Sequence, residues 1–168
     1  MTEQKKILIY YPELFSNSQQ AVTLQRAKNF GEYKNGKVVY SPYEAAYLIE
    51  IGKAQLIKNN KPLLLNQALK HILRGKDFQN SYLVFKDLRK KGYIPKAGLK
   101  FGADFRVYTK GEKHAKYLLH IADEKYRASF KELLTKTRIS HSTAKKLLIA
   151  IIDTQEDITY LEIDWVKV

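Results

Sequence analysis

Hydrophobic and polar positions alternate most regularly between residues 99 and 108. Because successive side chains of a β-strand point to opposite faces, this alternation predicts one long, half-buried strand. Its polar face would carry Tyr108, and its apolar face is formed by Leu99, Phe101, Ala103, Phe105 and Val107. A second apolar run, Tyr117–Ile121, predicts the next strand along the chain.

The first half of the chain carries one strong helix-start signal. Ser41 as the N-cap, Pro42 at the first helical position and Glu44 three residues after the serine predict a capping box. The helix that follows is expected to end near Gly52, which can adopt the left-handed conformation. The other predicted elements of this half are a helix over about residues 66–73 and strands over residues 7–11 and 37–40.

The pattern of elements restarts after residue 75, which predicts two domains, residues 1–75 and 76–168. Apolar residues at helical spacing predict a helix that Gly92 ends, and the two strands follow it. A short helix with Phe130, Leu133 and Leu134 on one side comes next, and the chain closes on β-rich runs at residues 147–152 and 158–166. This order of elements predicts an α/β domain with a mixed sheet flanked by helices.

The net charge of the chain indicates what kind of partner the protein binds. The 168 residues include 30 Lys and Arg against 17 Asp and Glu, which gives a formal net charge of +13. Such a balance favours a polyanionic partner, and nucleic acid is the most common one, although a generally basic protein without such a partner is an alternative. The positive charge is spread over both halves of the chain, so it belongs to folded surfaces.

Two other features of composition exclude whole classes of protein. There is no cysteine, which rules out disulfides, thiolate zinc sites and a cysteine nucleophile. The apolar run Ile7–Tyr11 is too short for the core of a signal peptide and far too short to span a bilayer. We therefore expect a cytoplasmic protein with no membrane partner.

The residues that could carry chemistry favour catalysis without a cofactor. No glycine-rich phosphate loop is present, and no carboxylates cluster with histidine at metal-ligand spacing. Asp87 and Asp104 are a weak alternative as metal ligands. RNA carries its own nucleophile, the 2′-hydroxyl, so its cleavage needs only a base, an acid and a cation. Tyr108 and His114, at the two ends of one predicted hairpin, and a lysine could supply these, although each residue taken singly is more often structural.

Four stretches of the chain together resemble one family. They are Tyr82–Tyr93, Lys96–Tyr108, the segment that begins at His114, and Arg138–Leu147, which contains Lys145. These segments are similar to the catalytic domain of the archaeal tRNA-intron (splicing) endonucleases. The pair Thr143-Ala144 departs from the family pattern, which often has an apolar residue and an arginine there.

The resemblance implies a fold, a reaction and roles for three residues. The expected fold is an α+β N-terminal domain followed by an α/β restriction-endonuclease-like (tRNA-intron endonuclease catalytic) domain with a mixed sheet. The expected reaction cuts precursor tRNA at the intron boundaries of a bulge-helix-bulge element, without a metal or cofactor. It is a lyase-type cleavage that leaves a 2′,3′-cyclic phosphate and a 5′-hydroxyl. Tyr108 would be the general base, His114 the general acid and Lys145 the stabiliser of the transition state.

The resemblance also implies an assembly and a way of holding RNA. Members work as a homotetramer or as a heterotetramer with a structural subunit, and an acidic loop docks into a basic groove of a neighbouring dimer. The residues in the matching position are Asp153, Glu156 and Asp157, which could otherwise form an ordinary solvated turn. Arg138 would stack on a bulge base, and Trp165 is a second stacking candidate that could equally serve packing. The alternative function is a non-catalytic structural subunit or RNA-binding scaffold of such an enzyme.

Overall fold

The computed structural model describes residues 6–166, and the chain divides into two compact units, residues 1–79 and 80–168. The first unit contains β1 (Ile7–Tyr10), β2 (Phe15–Ser16), α1 (Gln19–Lys28), β3 (Glu32–Lys34), β4 (Lys37–Val39), α2 (Pro42–Glu50), β5 (Ala54–Lys58), β6 (Lys61–Pro62) and α3 (Leu65–Ile72). Helix α4 (Lys76–Lys90) begins in the first unit and continues into the second. The second unit then contains β7 (Ile94–Ala97), a 3-10 turn (Leu99–Phe101), β8 (Phe105–Tyr108), β9 (Tyr117–Asp123), α5 (Phe130–Ser142), β10 (Lys146–Ile152) and β11 (Ile158–Ile163).

The first unit is built on a six-stranded mixed sheet. Its strand order is β3-β4-β2-β1-β5-β6, in which β1 and β5 are parallel and the other neighbours are antiparallel. The predicted capping box is confirmed, because Ser41 Oγ accepts the Glu44 N–H and Glu44 Oε2 accepts the Ser41 N–H. The carboxylate of Glu44 is buried and also accepts the N–H of Gly31 at 3.0 Å. One glutamate thus caps α2 and ties it to the residue directly before β3.

Five elements of this unit were not predicted from the sequence: β2, α1, β3, β5 and β6. The helix α1 and the central strand β5 show why. Helix α1 has a side-chain cap from Ser18, but Ala21 is its one buried residue among those described, so it lacks an apolar stripe. Strand β5 buries Ala54 and Leu56, a signal of two residues that is too short to separate from a loop. Helix α1 is therefore stabilised by packing on the sheet, and β5 by pairing with β1 and β6, rather than by a pattern in their own sequences.

The second unit contains a five-stranded sheet of order β11-β10-β9-β8-β7. Strands β9 and β10 are parallel and their other neighbours are antiparallel, so the predicted mixed sheet is confirmed. Helix α4 buries Phe85 and Leu88, and the Phe85 ring lies 6.1 Å from the ring of Phe105 on β8. This apolar contact fixes β8, the strand that ends at Tyr108, within the core.

The predicted long strand over residues 99–108 is wrong in its first half. Residues Leu99–Phe101 form a 3-10 turn in which the Leu99 side chain is 85% exposed. A Cβ on Gly98 would lie 2.5 Å from the carbonyl oxygen of Ala103, and Gly102 ends the turn with φ of +63°. The glycines let the chain fold back so that β7 pairs with β8, and β7 is an extra strand that the predicted order lacked.

The predicted apolar side of the helix after β9 is not its buried side. Phe130 is 92% exposed and Leu134 is 42% exposed, whereas Thr137 and Ser140 are buried. The hydroxyls of Thr137 and Ser140 donate to the carbonyls of Leu133 and Lys136, which makes their burial tolerable. Strand β11 also ends at Ile163, earlier than predicted.

Candidate active site

Three strand ends meet at one edge of the second sheet. Strand β8 ends at Tyr108, and its antiparallel neighbour β9 begins nine residues later at Tyr117. Strand β10 begins at Lys146 and runs parallel to β9, with Lys146 opposite Tyr117. Since Val107 is also opposite Tyr117, Tyr108 and Lys145 flank Lys116 in one row. With neighbouring strands about 4.8 Å apart, the backbones of Tyr108 and Lys145 lie about 10 Å from each other.

His114 lies in the loop that joins β8 to β9 at this same edge. The Lys116 N–H donates to the Val107 carbonyl at 2.8 Å and closes the loop at its base. Gly111, with φ of +86°, makes the turn inside it. His114 is exposed and lies two residues before the closing bond, so the loop keeps its backbone near the end of β8. The sequence prediction that one hairpin carries both Tyr108 and His114 agrees with this geometry.

The end of α5 determines where Lys145 lies. Ala144 adopts the left-handed conformation with φ of +54°, and its N–H donates to the carbonyl of His141. The Lys145 N–H then donates to the carbonyl of Ser140 at 2.8 Å, which completes a Schellman-type helix end. This motif reverses the chain and delivers Lys145 to the start of β10.

The two adjacent lysines at this point have opposite electrostatic surroundings. The ammonium of Lys146 lies 2.6 Å from a carboxylate oxygen of Glu162 and 3.3 Å from one of Asp164, and these contacts raise its pKa. Lys145 has no carboxylate partner among the described residues, and its Nζ donates to the carbonyl of Thr143 at 2.7 Å. An ammonium has three donors, so two of them stay available to a phosphate. Of the two, Lys145 is the cation that can serve a substrate.

Two further residues, Phe101 and Arg106, link Lys145 to Tyr108 through ring contacts. The sequence did not identify either of them as a site residue. The Lys145 Nζ lies 5.0 Å from the centre of the Phe101 ring. The Arg106 guanidinium lies 5.9 Å from the same ring and 5.8 Å from the ring of Tyr108. Arg106 shares a strand face with Tyr108, as the alternation indicates, but Phe101 was assigned to the buried face of a strand that does not exist there. Only the 3-10 turn brings the Phe101 ring close to both cations.

Arg138 and Trp165 lie near the same end of α5. Arg138 is exposed and is three residues from His141, so their side chains are neighbours on the helix surface. The His141 ring lies 6.0 Å from the ring of Trp165, which is 43% exposed. The structure therefore gives Trp165 a partner on the helix face that carries Arg138, while its role in RNA binding stays a prediction.

The acidic turn joins β10 to β11. Asp153 Oδ1 accepts the N–H groups of Gln155 and Asp157 at 2.8 and 2.9 Å, so this carboxylate holds the turn together. Glu156, at φ of +66°, and Asp157 are exposed. They line a shallow depression of about 190 Å³ together with Lys86 and Lys90 of α4. Asp153 thus shapes the turn, whereas Glu156 and Asp157 are exposed to solvent.

The carboxylates considered as metal ligands have structural contacts. Asp87 pairs with Lys91 at 2.5 Å and accepts the Tyr160 hydroxyl proton at 2.7 Å. Asp104 accepts the N–H of Ile121 at 2.8 Å. Within residues 6–166, no three His, Asp or Glu side chains are grouped as a metal site would require.

Comparison with known proteins defines the class to which this fold and site belong. The model of the family described as "tRNA intron endonuclease, catalytic C-terminal domain" matches residues 78–160. The chain therefore belongs to the tRNA-splicing endonuclease family, as the resemblance in its sequence indicated. In the part of the chain that the structure describes, no helix is both long enough and apolar enough to cross a membrane.

Similar proteins come from archaea and extend over most of the chain. A tRNA-splicing endonuclease of Thermococcus kodakarensis is 38% identical over 96% of this chain and 99% of its own length. One from Thermococcus onnurineus is 40% identical over 91% of each chain. One from Methanothermobacter thermautotrophicus is 34% identical over 86% of each.

Proposed function

We propose that this protein cuts precursor tRNA at its intron boundaries, within a bulge-helix-bulge element. The observation that carries the proposal is that Tyr108, His114 and Lys145 lie at one edge of the sheet, at the end of β8, in the loop after it and directly before β10. Family membership supports it independently. A scaffold subunit has no need to keep a base, an acid and an unpaired cation together.

The proposed reaction uses the 2′-hydroxyl of the RNA as the nucleophile. Tyr108 takes the proton of the 2′-hydroxyl while the 2′ oxygen forms a bond to phosphorus. His114 gives a proton to the 5′ oxygen as the bond between that oxygen and phosphorus breaks. Lys145 stabilises the added negative charge on the phosphorane. The products are a 2′,3′-cyclic phosphate and a 5′-hydroxyl, and no cofactor takes part.

We further propose how the chain divides into domains, how it assembles and where it acts. Residues 1–75 would form an α+β N-terminal domain, and residues 76–168 a restriction-endonuclease-like catalytic domain. Two cuts at a fixed separation need two active copies, so we propose a homotetramer or a heterotetramer with a structural subunit. Because precursor tRNA is the substrate and the similar proteins are archaeal, we assign the enzyme to the cytoplasm.

Cleavage of a bulge-helix-bulge RNA is expected to persist when divalent ions are chelated. The nucleophile and all three catalytic groups come from the RNA and the protein, so no metal-bound hydroxide is needed. The measurement is single-turnover cleavage in EDTA with monovalent salt that keeps the RNA folded, followed by analysis of the ends. Cleavage that stops although the RNA is folded, and returns with magnesium, contradicts the mechanism. A linear 3′-phosphate at the first time point would also contradict it.

Replacing Arg138 with alanine is expected to lower kcat/KM for bulged RNA by about tenfold or more, because a guanidinium plane can stack on an unpaired base and also contact phosphate. Arg127→Ala is the matched control, since Arg127 is an exposed arginine before α5. A bulge-free duplex gives the background of general charge effects. If Arg138→Ala and Arg127→Ala cleave the bulged substrate equally well, Arg138 has no part in base recognition.

A further inference from the structure

A cluster of basic side chains lies in the first unit, and none of them belongs to the proposed catalytic set. It comprises Lys58 at the end of β5, Lys61 on β6, and His71 and Arg74 at the end of α3. Lys58, Lys61 and His71 line an open cleft of about 420 Å³ together with Asn59, Leu63 and Gln67. We refer to this cleft, with Arg74 beside it at the His71 ring, as the basic cleft.

The sequence around the basic cleft contains no carboxylate. Residues 51–76 have no Asp or Glu, and they include Lys53, Lys58, Lys61, Lys70, Arg74 and Lys76. Elsewhere, acids compensate many cations, as Glu162 compensates Lys146. The cations of the basic cleft have no ion pair within the residues that the structure describes, so their field extends into solvent.

The contacts of His71 show that the basic cleft lacks an acceptor. Lys58 Nζ lies 3.5 Å from His71 Nε2, and Arg74 Nη2 lies 3.3 Å from His71 Nδ1. A neutral imidazole has one N–H and one lone pair, so its ring can accept from only one of these two cations. The other cation then points its donor at an N–H. An anion seated between them would satisfy both cations and the ring.

The pKa of His71 is consistent with this excess of positive charge. Desolvation of the ring, with repulsion from Lys58 and Arg74, holds the pKa of His71 below its ordinary value. The ring of Tyr11 also faces the group, with its centre 5.7 Å from the His71 ring and 5.4 Å from Lys58 Nζ. Basic side chains beside a half-exposed aromatic ring are the combination that contacts RNA backbone and unstacked bases.

We propose that the basic cleft binds phosphate groups of the RNA backbone, which gives the first unit an RNA contact of its own. The inference rests on the proposed function for the identity of the polyanion. The cleft is open, and its cations come from two strands and the end of a helix. This shape suits a continuous phosphate chain better than a small enclosed ligand.

The test compares two pairs of charge-removing substitutions in the full chain. Lys58→Gln/Arg74→Gln removes the two cations on His71. Lys6→Gln/Lys53→Gln removes the same charge at the opposite end of the parallel strands β1 and β5, because Lys53 precedes β5 and Ile7 pairs with Ala54. Five residues of extended chain separate Lys53 from Lys58 by about 17 Å. The control pair is thus in the same unit but outside the basic cleft.

Binding is measured to a precursor tRNA with 2′-deoxy nucleotides at the cut sites, over a range of salt concentrations. The cleft pair is expected to weaken binding by about tenfold or more at 0.1 M salt, since each phosphate contact releases close to one condensed counterion. The slope of log affinity against log salt should fall by about 2, one for each lost contact. The control pair should bind within about twofold of the unsubstituted protein, as expected for charges that make no phosphate contact. Thermal unfolding midpoints verify that both pairs are folded, and sedimentation verifies that both keep the assembly of the unsubstituted protein, so that a weaker grip on RNA is not caused by a lost subunit contact.

A second variant tests the role of the ring. A phosphate in the basic cleft favours the imidazolium form of His71, so binding should tighten between pH 8 and pH 6. In His71→Gln this part of the pH dependence should disappear, while the contribution of the other histidines remains. A pH profile that is identical in the two proteins places His71 outside the RNA contact.

The possible failures are distinct from one another. Equal weakening by the cleft pair and the control pair, or no weakening by either, contradicts the basic cleft as a site. If millimolar pyrophosphate shifts the NMR resonances of the His71 ring while the cleft pair binds RNA as the unsubstituted protein does, the cleft binds small phosphates instead. If the unsubstituted protein binds precursor tRNA but leaves a 2′-hydroxyl substrate uncut, the proposed function fails and the binding result still stands.

Discussion

Replacing His114 or Lys145 with alanine is expected to lower the single-turnover rate of RNA cleavage by about 100-fold or more. The first change removes the proton donor for the leaving 5′ oxygen, and the second removes the cation beside the phosphorane. Tyr108→Phe should have a comparable effect, because it removes the hydroxyl and keeps the ring next to Arg106. A substrate with a 2′-deoxy nucleotide at the cut site should be inert, since its nucleophile is absent.

The structure supplies controls that separate chemistry from packing. Lys145 also holds the carbonyl of Thr143, so Lys145→Ala could loosen the end of α5. In Lys145→Gln the amide can still donate to that carbonyl while the charge is lost, and this variant should be as inactive as the alanine. Lys125→Ala removes an exposed cation just past the far end of β9, about 20 Å along the strand, and should cleave normally. Cleavage at the unsubstituted rate by His114→Ala contradicts its role as the acid.

Neutralising the outward acids of the turn between β10 and β11 is expected to reduce a tetramer to dimers and abolish cleavage. A chain of charge +13 repels its own copies, so association needs local complementarity, which few acidic clusters can provide. The variant is Glu156→Gln/Asp157→Asn. Asp153 is left in place because its carboxylate accepts the two N–H groups that shape the turn. Sedimentation of the purified protein measures the assembly.

The same charge change elsewhere is the control for this variant. Glu13→Gln/Asp77→Asn removes two exposed acids outside the turn and should leave assembly and cleavage as they were. If the turn variant remains tetrameric and active, Glu156 and Asp157 are ordinary surface residues, attracted at most to Lys86 and Lys90 of their own chain. If the unsubstituted chain alone forms inactive dimers, the partner is a separate structural subunit.

Local sequence signals predicted those parts of the fold that depend on local interactions. The capping box of Ser41 and Glu44 is such a case, because its hydrogen bonds join residues three positions apart. The alternation before Tyr108 correctly placed Phe105 and Val107 in the core. The same alternation failed over Leu99–Phe101, where the close approach of Gly98 to Ala103 turns the chain back. The alternation of apolar and polar residues is the same whether the chain stays extended or turns back at Gly98. The alternation alone therefore cannot indicate this contact.

The candidate site shows the same division between sequence and tertiary structure. By itself, the sequence determined the family and named Tyr108, His114 and Lys145 as the residues to examine. Only the tertiary structure decided how the two adjacent lysines differ, because the acids that neutralise Lys146 lie on β11 and directly after it, sixteen and eighteen residues later. It also brought Lys58 and Arg74 to the two nitrogens of His71. Electrostatic partners are set by distance in space, and strand pairing and helix ends, rather than spacing along the chain, fix that distance.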